Sequence, residues 1–266
     1  LFLRAKSHDS IKPNFAPDAS KISTMQILDL TFATPTENLA CDEALLDWRD
    51  ENGGEEILRF WESQETFVVV GYANKIATEV NDENCRTRQI PIFRRCSGGG
   101  TVLQGAGCLN YALILKIENG SPTASISSAN KFIMEKNRAA IESAIRNPQS
   151  AISIHGHTDL CLGNLKFSGN SQRRKKNFLL FHGTFLLNFD LARVGDFLKM
   201  PSLQPDYRAA RNHENFLVNL DLSAATIKAA LQKTWSATEK PAHFPSQEIQ
   251  KLAAQKYSTD AWNLKL

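Results

Sequence analysis

The chain has 266 residues, 42% of them hydrophobic, with 31 lysines and arginines against 28 aspartates and glutamates for a formal net charge of +3. That length supports one large α/β domain with a small appendage. The charge bias is too weak to point to nucleic acid, and no apolar run reaches the roughly 18 residues of a membrane span.

Residues 1–24 carry Ser, Lys, Pro, Asn and Asp without apolar periodicity, so a mobile leader outside the fold is expected. It lacks the apolar stretch of a secretory signal. Its basic and serine content leaves an organelle transit peptide open, with Asp9 and Asp18 weighing against it. The patterned sequence starts at Met25, with a strand expected over 26–30. Thr34-Pro35-Thr36-Glu37 has the form of a capping box with proline at the first helical position, so a helix of about a dozen residues is expected, with Leu39, Leu46 and Trp48 on its apolar face. Apolar runs at 57–61 and 67–72 are bounded by turn residues and read as strands.

Next comes Arg94-Arg95-Cys96-Ser97-Gly98-Gly99-Gly100-Thr101-Val102, flanked by the apolar runs 90–93 and 109–117. Three glycines between two strands allow either an ordinary tight turn or a backbone that wraps closely around an anion. Adjacent arginines on a strand point to opposite faces, so one of the two is expected to reach a ligand. The loop is not a Walker A motif, because no Gly-Lys-Ser/Thr follows at the required spacing, and it is not a dinucleotide fingerprint.

Ile133, Ala140, Ile141, Ala144 and Ile145 recur at helical spacing over 128–146, and Asn147-Pro148 stops the pattern. Residues 156–187 read as two β-hairpins carrying one embedded lysine, Lys166. Arg173, Arg174, Lys175 and Lys176 fall where a hairpin turn is expected, either as a solvated loop or as a docking patch for an acidic partner. Beyond Leu222, two short helices separated by Pro241 and Pro245 are expected to pack as an extension (223–266) on the main domain (25–222). Without regular βαβ alternation or an internal repeat, the fold class is α/β of the α+β kind, a mixed β-sheet with packed helices.

The five cysteines, Cys41, Cys85, Cys96, Cys108 and Cys161, are odd in number and include no Cys-x-x-Cys pair. A reducing compartment, the cytoplasm, is therefore expected, or an organelle matrix if the leader is a transit peptide. A disulfide scaffold or zinc site has no support.

The glycine loop, Gly163-Asn164-Leu165-Lys166-Phe167-Ser168-Gly169-Asn170-Ser171-Gln172-Arg173 and His182-Gly183-Thr184 occur in the order found in the lipoate-protein ligase family, which the chain resembles over about 25–222. The resemblance implies a class II synthetase/biotin protein ligase-like catalytic domain. It also implies ATP-dependent activation of lipoate or octanoate to an acyl-adenylate, then transfer to a lysine. The implied acceptors are acidic lipoyl domains of 2-oxoacid dehydrogenase complexes or the glycine cleavage H protein, and an accessory subunit is a further implied partner.

Carried over residue by residue, Lys166 is the catalytic lysine that contacts both lipoate and ATP, and Arg95 the nucleotide-contacting arginine. Ser97, Gly98, Gly99, Gly100, Thr101, Val102, Leu103 and Gln104 hold the adenylate, with Asn110, Ser168 and Gly169 in the same ligand-binding set. Leu103-Gln104 replaces the family's aromatic-His pair, which leaves main-chain contacts there. Asp159 takes the place of the acidic residue near the phosphates and Mg²⁺, with Thr158 in place of Asn. His182 is either part of this set or a core histidine satisfied by backbone.

The rival within the superfamily is an ATP-independent octanoyl- or lipoyl-transferase, in which a cysteine forms a thioester. Ala151-Ile152-Ser153-Ile154 occupies the window where that cysteine is expected, and Cys161 lies on the other side of Asp159. A non-catalytic lipoate-binding or accessory protein is a third reading. A biotin ligase is disfavoured, because its Gly-Arg-Gly-Arg-x-Gly-Arg loop is absent.

Overall fold

The computed structural model describes residues 25–145 and 151–266. The expected leader and the Asn147-Pro148 stop lie outside the described residues. The strands are β1 (Met25–Asp29), β2 (Ile57–Glu62), β3 (Phe67–Val70), β4 (Ile92–Arg94), β5 (Val102–Gln104), β6 (Cys108–Lys116), β7 (Ile152–His155), β8 (Asp159–Leu162), β9 (Leu165–Arg174), β10 (Phe178–Leu186) and β11 (Ala237–Glu239). Eight of them form one sheet in the order β11-β1-β2-β6-β10-β9-β8-β7, and β4-β3-β5 form a smaller one. β1 runs parallel to β2 and β11 while β2, β6, β10, β9, β8 and β7 alternate antiparallel, so the sheet is mixed, as its sequence predicts.

Alternation along the central strands sends side chains to two cores. On β6, Leu109, Tyr111, Leu113 and Leu115 join one apolar cluster, while Ala112 and Ile114 join the other. On β10, Phe181 and Phe185 belong to the first cluster and Phe178 and Leu180 to the second, which places His182 on the Leu180 face. Helix α1 (Pro35–Asn52) covers that second face. Short helices α2 (Ile76–Glu79) and α3 (Asp82–Thr87) flank the small sheet, and α4 (Ile126–Ala144) covers the first face. α5 (Val194–Phe197) follows β10, and α6 (Ala224–Trp235), α7 (Ser246–Leu252) and α8 (Asp260–Asn263) complete the chain.

The capping box of α1 forms as read, with Thr34 Oγ1 accepting from the Glu37 amide and Glu37 Oε2 accepting from the Thr34 amide. The helix is longer than a dozen residues because its polar last turns have tertiary partners: Asp47 pairs with Lys175 (2.7 Å), and Asp50 Oδ1 accepts from the amides of Asn177 and Phe178. The expected pair of hairpins is a meander in which β9 is shared, and β7 extends it beyond the expected segment. After residue 222, α6 packs on α4, with Trp235 Nε1 donating to Asn137 Oδ1 (2.9 Å). β11 adds a strand to the main sheet where only helices were expected. Trp262 Nε1 donates to the carbonyl of Arg94, so the tail also braces the strand that leads into the glycine loop. Among the described residues no helix is long and apolar enough to cross a membrane.

Candidate active site

β4 ends at Arg94, and the two arginines diverge as strand geometry requires. Arg94 is fully buried and donates to the carbonyls of Gly71, Tyr72 and Asn74. Arg95 turns into the glycine loop, where its guanidinium donates to Ser97 Oγ (3.1 Å) and to the carbonyls of Gly98 (2.5 Å) and Gly100 (2.8 Å). Burial brings its pKa down to about 10, which leaves it a cation at neutral pH. Gly99 has φ +83°, a conformation open to glycine at little cost. With Gly98 and Gly100 oxygens drawn inward and Ser171 Oγ also donating to Gly98, none of the amides of Gly98, Gly99 and Gly100 donates to a described residue. A run of free N–H groups beside a buried cation is an anion cradle.

Opposite the loop, Lys166 sits at the start of β9. Its backbone is clasped on both sides, with its amide donating to Phe216 and its carbonyl accepting from Val218. Nζ lies 2.8 Å from Asp159 Oδ1, and Tyr207 donates from its hydroxyl to Asp159 Oδ2 (2.7 Å). The lysine folds over Gly169, where an added Cβ would stand 2.7 Å from both Cε and Nζ, so any side chain there would displace it. Tyr207 stacks on His155 with ring centroids 4.7 Å apart, and its phenol pKa is raised, first by burial and then by Asp159.

His182 lies between the loop and α1. Its Nε2 is 2.6 Å from Ser97 Oγ and its Nδ1 3.0 Å from Asp42 Oδ2, while the buried Arg59 donates to Asp42 Oδ1. Burial works to raise the Asp42 carboxyl, but Arg59 and His182 together hold it below the usual carboxylate range. Further along, Gln104, Asn110 and Thr184 form a closed ring of side-chain hydrogen bonds: Asn110 donates to Gln104, Gln104 to Thr184, and Thr184 to Asn110.

Arg95, Gly99, Gly100, Asp159, Lys166, Tyr207, His182 and the Gln104–Asn110–Thr184 ring line a cavity of about 920 Å³. Leu39, Trp61, Val69, Leu103 and Phe189 supply an apolar part, and Arg95, Asp159 and Lys166 a charged part. That combination suits a carboxylate on an apolar chain together with a phosphorylated group. No cysteine lines it: all five are free and buried, and burial pushes the thiols of Cys85 and Cys161 up to about 11 and those of Cys41, Cys96 and Cys108 up to about 12.

A family model described as the lipoyl protein ligase A/B catalytic domain matches residues 34–242. The chain belongs to that family. Over 276 aligned residues it is 26% identical to octanoyltransferase LipM of Halalkalibacterium halodurans, covering 92% of this chain and all of the relative. It is 29% identical over 241 residues to lipoate–protein ligase 1 of Staphylococcus aureus, covering 86% and 70% of the two chains. A crystal structure of lipoate-protein ligase A bound with ATP superposes with a TM-score of 0.74 at 23% identity, over 91% of this chain and 98% of the other, which establishes a shared fold.

Within this lipoyl ligase family chain, the sequence-expected residues fall into two groups. Arg95, Gly99, Gly100, Thr101, Val102, Leu103, Gln104, Asn110, Asp159, Lys166, Ser168, Gly169 and His182 all line the cavity. Ser97 and Gly98 do not: Ser97 is only 2% exposed and lies behind the loop, and the Gly98 carbonyl is bound by Arg95 and Ser171. Leu103 forms part of the apolar wall, and Gln104 spends its amide on the Asn110–Thr184 ring. Asp42, Arg59, Asn170 and Tyr207 were not singled out. The signal for Asp42 was available as Asn38 and Asp42, two polar residues one helical turn apart beside Leu39, Leu45 and Leu46, whereas Tyr207 lies in a loop with no motif.

The basic run is half strand and half turn. Arg173 and Arg174 are on β9, where Arg173 pairs with the buried Glu43 (3.2 Å) and Arg174 donates to the carbonyls of Thr123 and Ala124. Lys175 pairs with Asp47, and Lys176 is exposed. The hairpin register puts the turn two residues later than the charge pattern suggests.

Proposed function

We propose that the protein is an ATP-dependent lipoate-protein ligase. The carboxylate of lipoate or octanoate attacks the α-phosphorus of ATP, the bond to the β-phosphate breaks and pyrophosphate leaves. A lysine amine of an acceptor then attacks the acyl carbon, sheds a proton and displaces AMP. The observation that carries this reading is a cavity with a fixed cation and an anion cradle but no thiol on its wall. Thiols pushed up to about 11 or 12 are almost wholly protonated at neutral pH and are poor nucleophiles.

Lys166 is placed to stabilise charge that gathers on the acyl carbonyl and the α-phosphate, and the free loop amides would hold the phosphate oxygens. The apolar wall around Leu39, Trp61 and Val69 would take the acyl chain and exclude water. Among the described residues no group of three or more His, Cys, Asp or Glu gathers to hold a metal. A Mg²⁺ carried mainly by phosphates and water needs only one carboxylate. Asp159 fits that part with the lone pairs left beside Lys166 and Tyr207, and Thr158 is its neighbour. Such an ion supplies neutralisation of phosphate charge.

Lipoyl domains of 2-oxoacid dehydrogenase complexes or the glycine cleavage H protein are the proposed acceptors, with an accessory subunit as a further partner and the cytoplasm as the compartment. The full-length match to an octanoyltransferase favours a second reading, acyl transfer through a cysteine thioester without ATP. Incubation with ATP and either lipoate or octanoate separates them. Acyl-adenylate and pyrophosphate are expected, whereas no pyrophosphate there, together with an acyl adduct mapped by mass spectrometry to Cys161 in a parallel incubation with an octanoyl thioester that releases its thiol and needs no ATP, would overturn the ligase reading.

A further inference from the structure

The glycine loop is held from behind by a row of buried polar groups. Arg95 Nε donates to Ser97 Oγ (3.1 Å), Ser97 Oγ and His182 Nε2 are 2.6 Å apart, His182 Nδ1 and Asp42 Oδ2 are 3.0 Å apart, and Arg59 donates to Asp42 Oδ1. Counting hydrogens assigns their directions. A serine hydroxyl has one hydrogen to give, its oxygen already accepts from Arg95, and no acceptor other than His182 lies within reach of Ser97 Oγ among the described residues.

The hydroxyl therefore donates to Nε2, the single ring N–H sits on Nδ1, and it donates to Asp42. Every hydrogen passed along the row from Arg95 Nε to Asp42 then has an acceptor. A doubly protonated ring would aim a second donor at Ser97 Oγ and leave the hydroxyl hydrogen unpaired in a buried site, which is costly. The tautomer follows from this bonding pattern.

Ser97 has no face on the cavity, so its hydroxyl acts on whatever it orients. We propose that Asp42, His182 and Ser97 are positioning residues that fix Arg95, and through Arg95 the glycine loop. In that state the Gly98 and Gly100 carbonyls point inward and the amides stay free for an anion. The row begins on α1, crosses β10 and ends in the loop, so the cradle is anchored to the sheet–helix core and not to its own turn. The proposal rests on the ligase reading in one respect, the identity of the anion as an acyl-adenylate phosphate.

The test uses the full chain and a non-hydrolysable acyl-sulfamoyl-adenosine, titrated calorimetrically. Ser97→Ala and His182→Gln are each expected to weaken binding about tenfold, the scale of one hydrogen bond to a charged group. The double variant should bind about as weakly as the worse single, because both remove the same link. His182→Asn combined with Ser97→Ala keeps a donor for Asp42 and leaves no hydroxyl unpaired, so its melting temperature should stay near wild type while its affinity falls.

A merely structural histidine would have stability and affinity move together. Ser97→Ala deletes only one hydroxyl and keeps the test available if the histidine variants do not fold. Losses that multiply in the double variant, or tight binding retained by Ser97→Ala, would overturn the positioning role. Failure of the wild type to bind the analogue would overturn the ligase reading, and with it the proposed anion.

Discussion

Replacing Lys166 by alanine acts at the charge centre of the cavity. Its Nζ lies 2.8 Å from Asp159 Oδ1, with the two side chains 25% and 15% exposed. The pair is therefore neither a solvated bridge, worth about 0–1 kcal/mol, nor a fully desolvated one, whose breaking costs about 3–5 kcal/mol. A stability loss of about 1–2 kcal/mol is expected between those limits, because Tyr207 continues to donate to Asp159 Oδ2. For a chain of this size that lowers the melting temperature by about 2–8 °C.

The chemical effect is larger. Truncation converts a neutral pair into an unpaired carboxylate where negative charge must gather, and removing one preorganised donor alone costs about 10²–10³ in rate. Pyrophosphate release with ATP and lipoate should fall at least about 100-fold, and combining Lys166→Ala with Asp159→Asn should restore part of it by removing the extra charge. Adenylation by a folded Lys166→Ala variant at near wild-type rate would refute the assignment.

Four further outcomes follow from the same geometry. Native protein treated with iodoacetamide near pH 8 should take up little label at any of the five cysteines, since burial keeps the thiols protonated; rapid labelling of Cys161, tracked by mass spectrometry, would contradict this. Tyr207→Phe keeps the ring stack on His155 but loses the donation to Asp159, so adenylation should slow by about 3–10-fold with stability within about 1 kcal/mol of wild type. Asp42 has a folded pKa below its unfolded value, so its contribution is present above about pH 4 and is lost as pH falls through the folded value. Melting curves should therefore drop more steeply below about pH 4 for wild type than for Asp42→Asn. Arg173→Ala leaves the buried Glu43 with Lys256 and Tyr257 alone and should cost about 1–3 kcal/mol, whereas Lys176→Ala should leave stability within about 0.5 kcal/mol; equal melting temperatures for the two would remove the distinction drawn between them.

Features confined to a short stretch were legible in the sequence. Three glycines after two arginines mark a segment where backbone comes close to its neighbours and adjacent side chains diverge, and the apolar runs of β6 and β10 mark strands buried on both faces. What could not be read depends on partners far away in the chain. The last turns of α1 look like an exposed polar end, yet Asp47 and Asp50 are held by residues 175–178. Arg173 looks like part of a solvated basic turn, but its partner Glu43 is on a helix 130 positions earlier, and only the register of β9 against β10 brings the two together. Asp42 and Arg59 would each be costly to bury alone, so neither is interpretable until the other is placed beside it.

The same reasoning bears on the choice between ligase and transferase. Overall identity samples the sheet, the helices and the loops about equally, so a 26% match spread over a whole octanoyltransferase reports mostly on the shared scaffold. The two chemistries differ in what the cavity must hold. Thioester formation needs one sulfur, exposed to substrate and easily ionised, and a neighbouring cation or helix terminus to lower its pKa. Adenylation needs several fixed donors around a phosphate and a dry apolar slot for the acyl chain, none of them covalently reactive. In this chain the sulfur paired across the sheet with Lys166 is that of Cys161, fully buried, off the cavity wall, and donating to Tyr207 at 3.7 Å. Cys161 is held on β8 between Ser153 and Lys166, so presenting its sulfur to the cavity would disturb a strand packed beside the lysine. A sulfur buried away from the cavity, with burial keeping its proton on, is poorly placed to carry an acyl group, which is the physical reason to expect pyrophosphate from the first half-reaction.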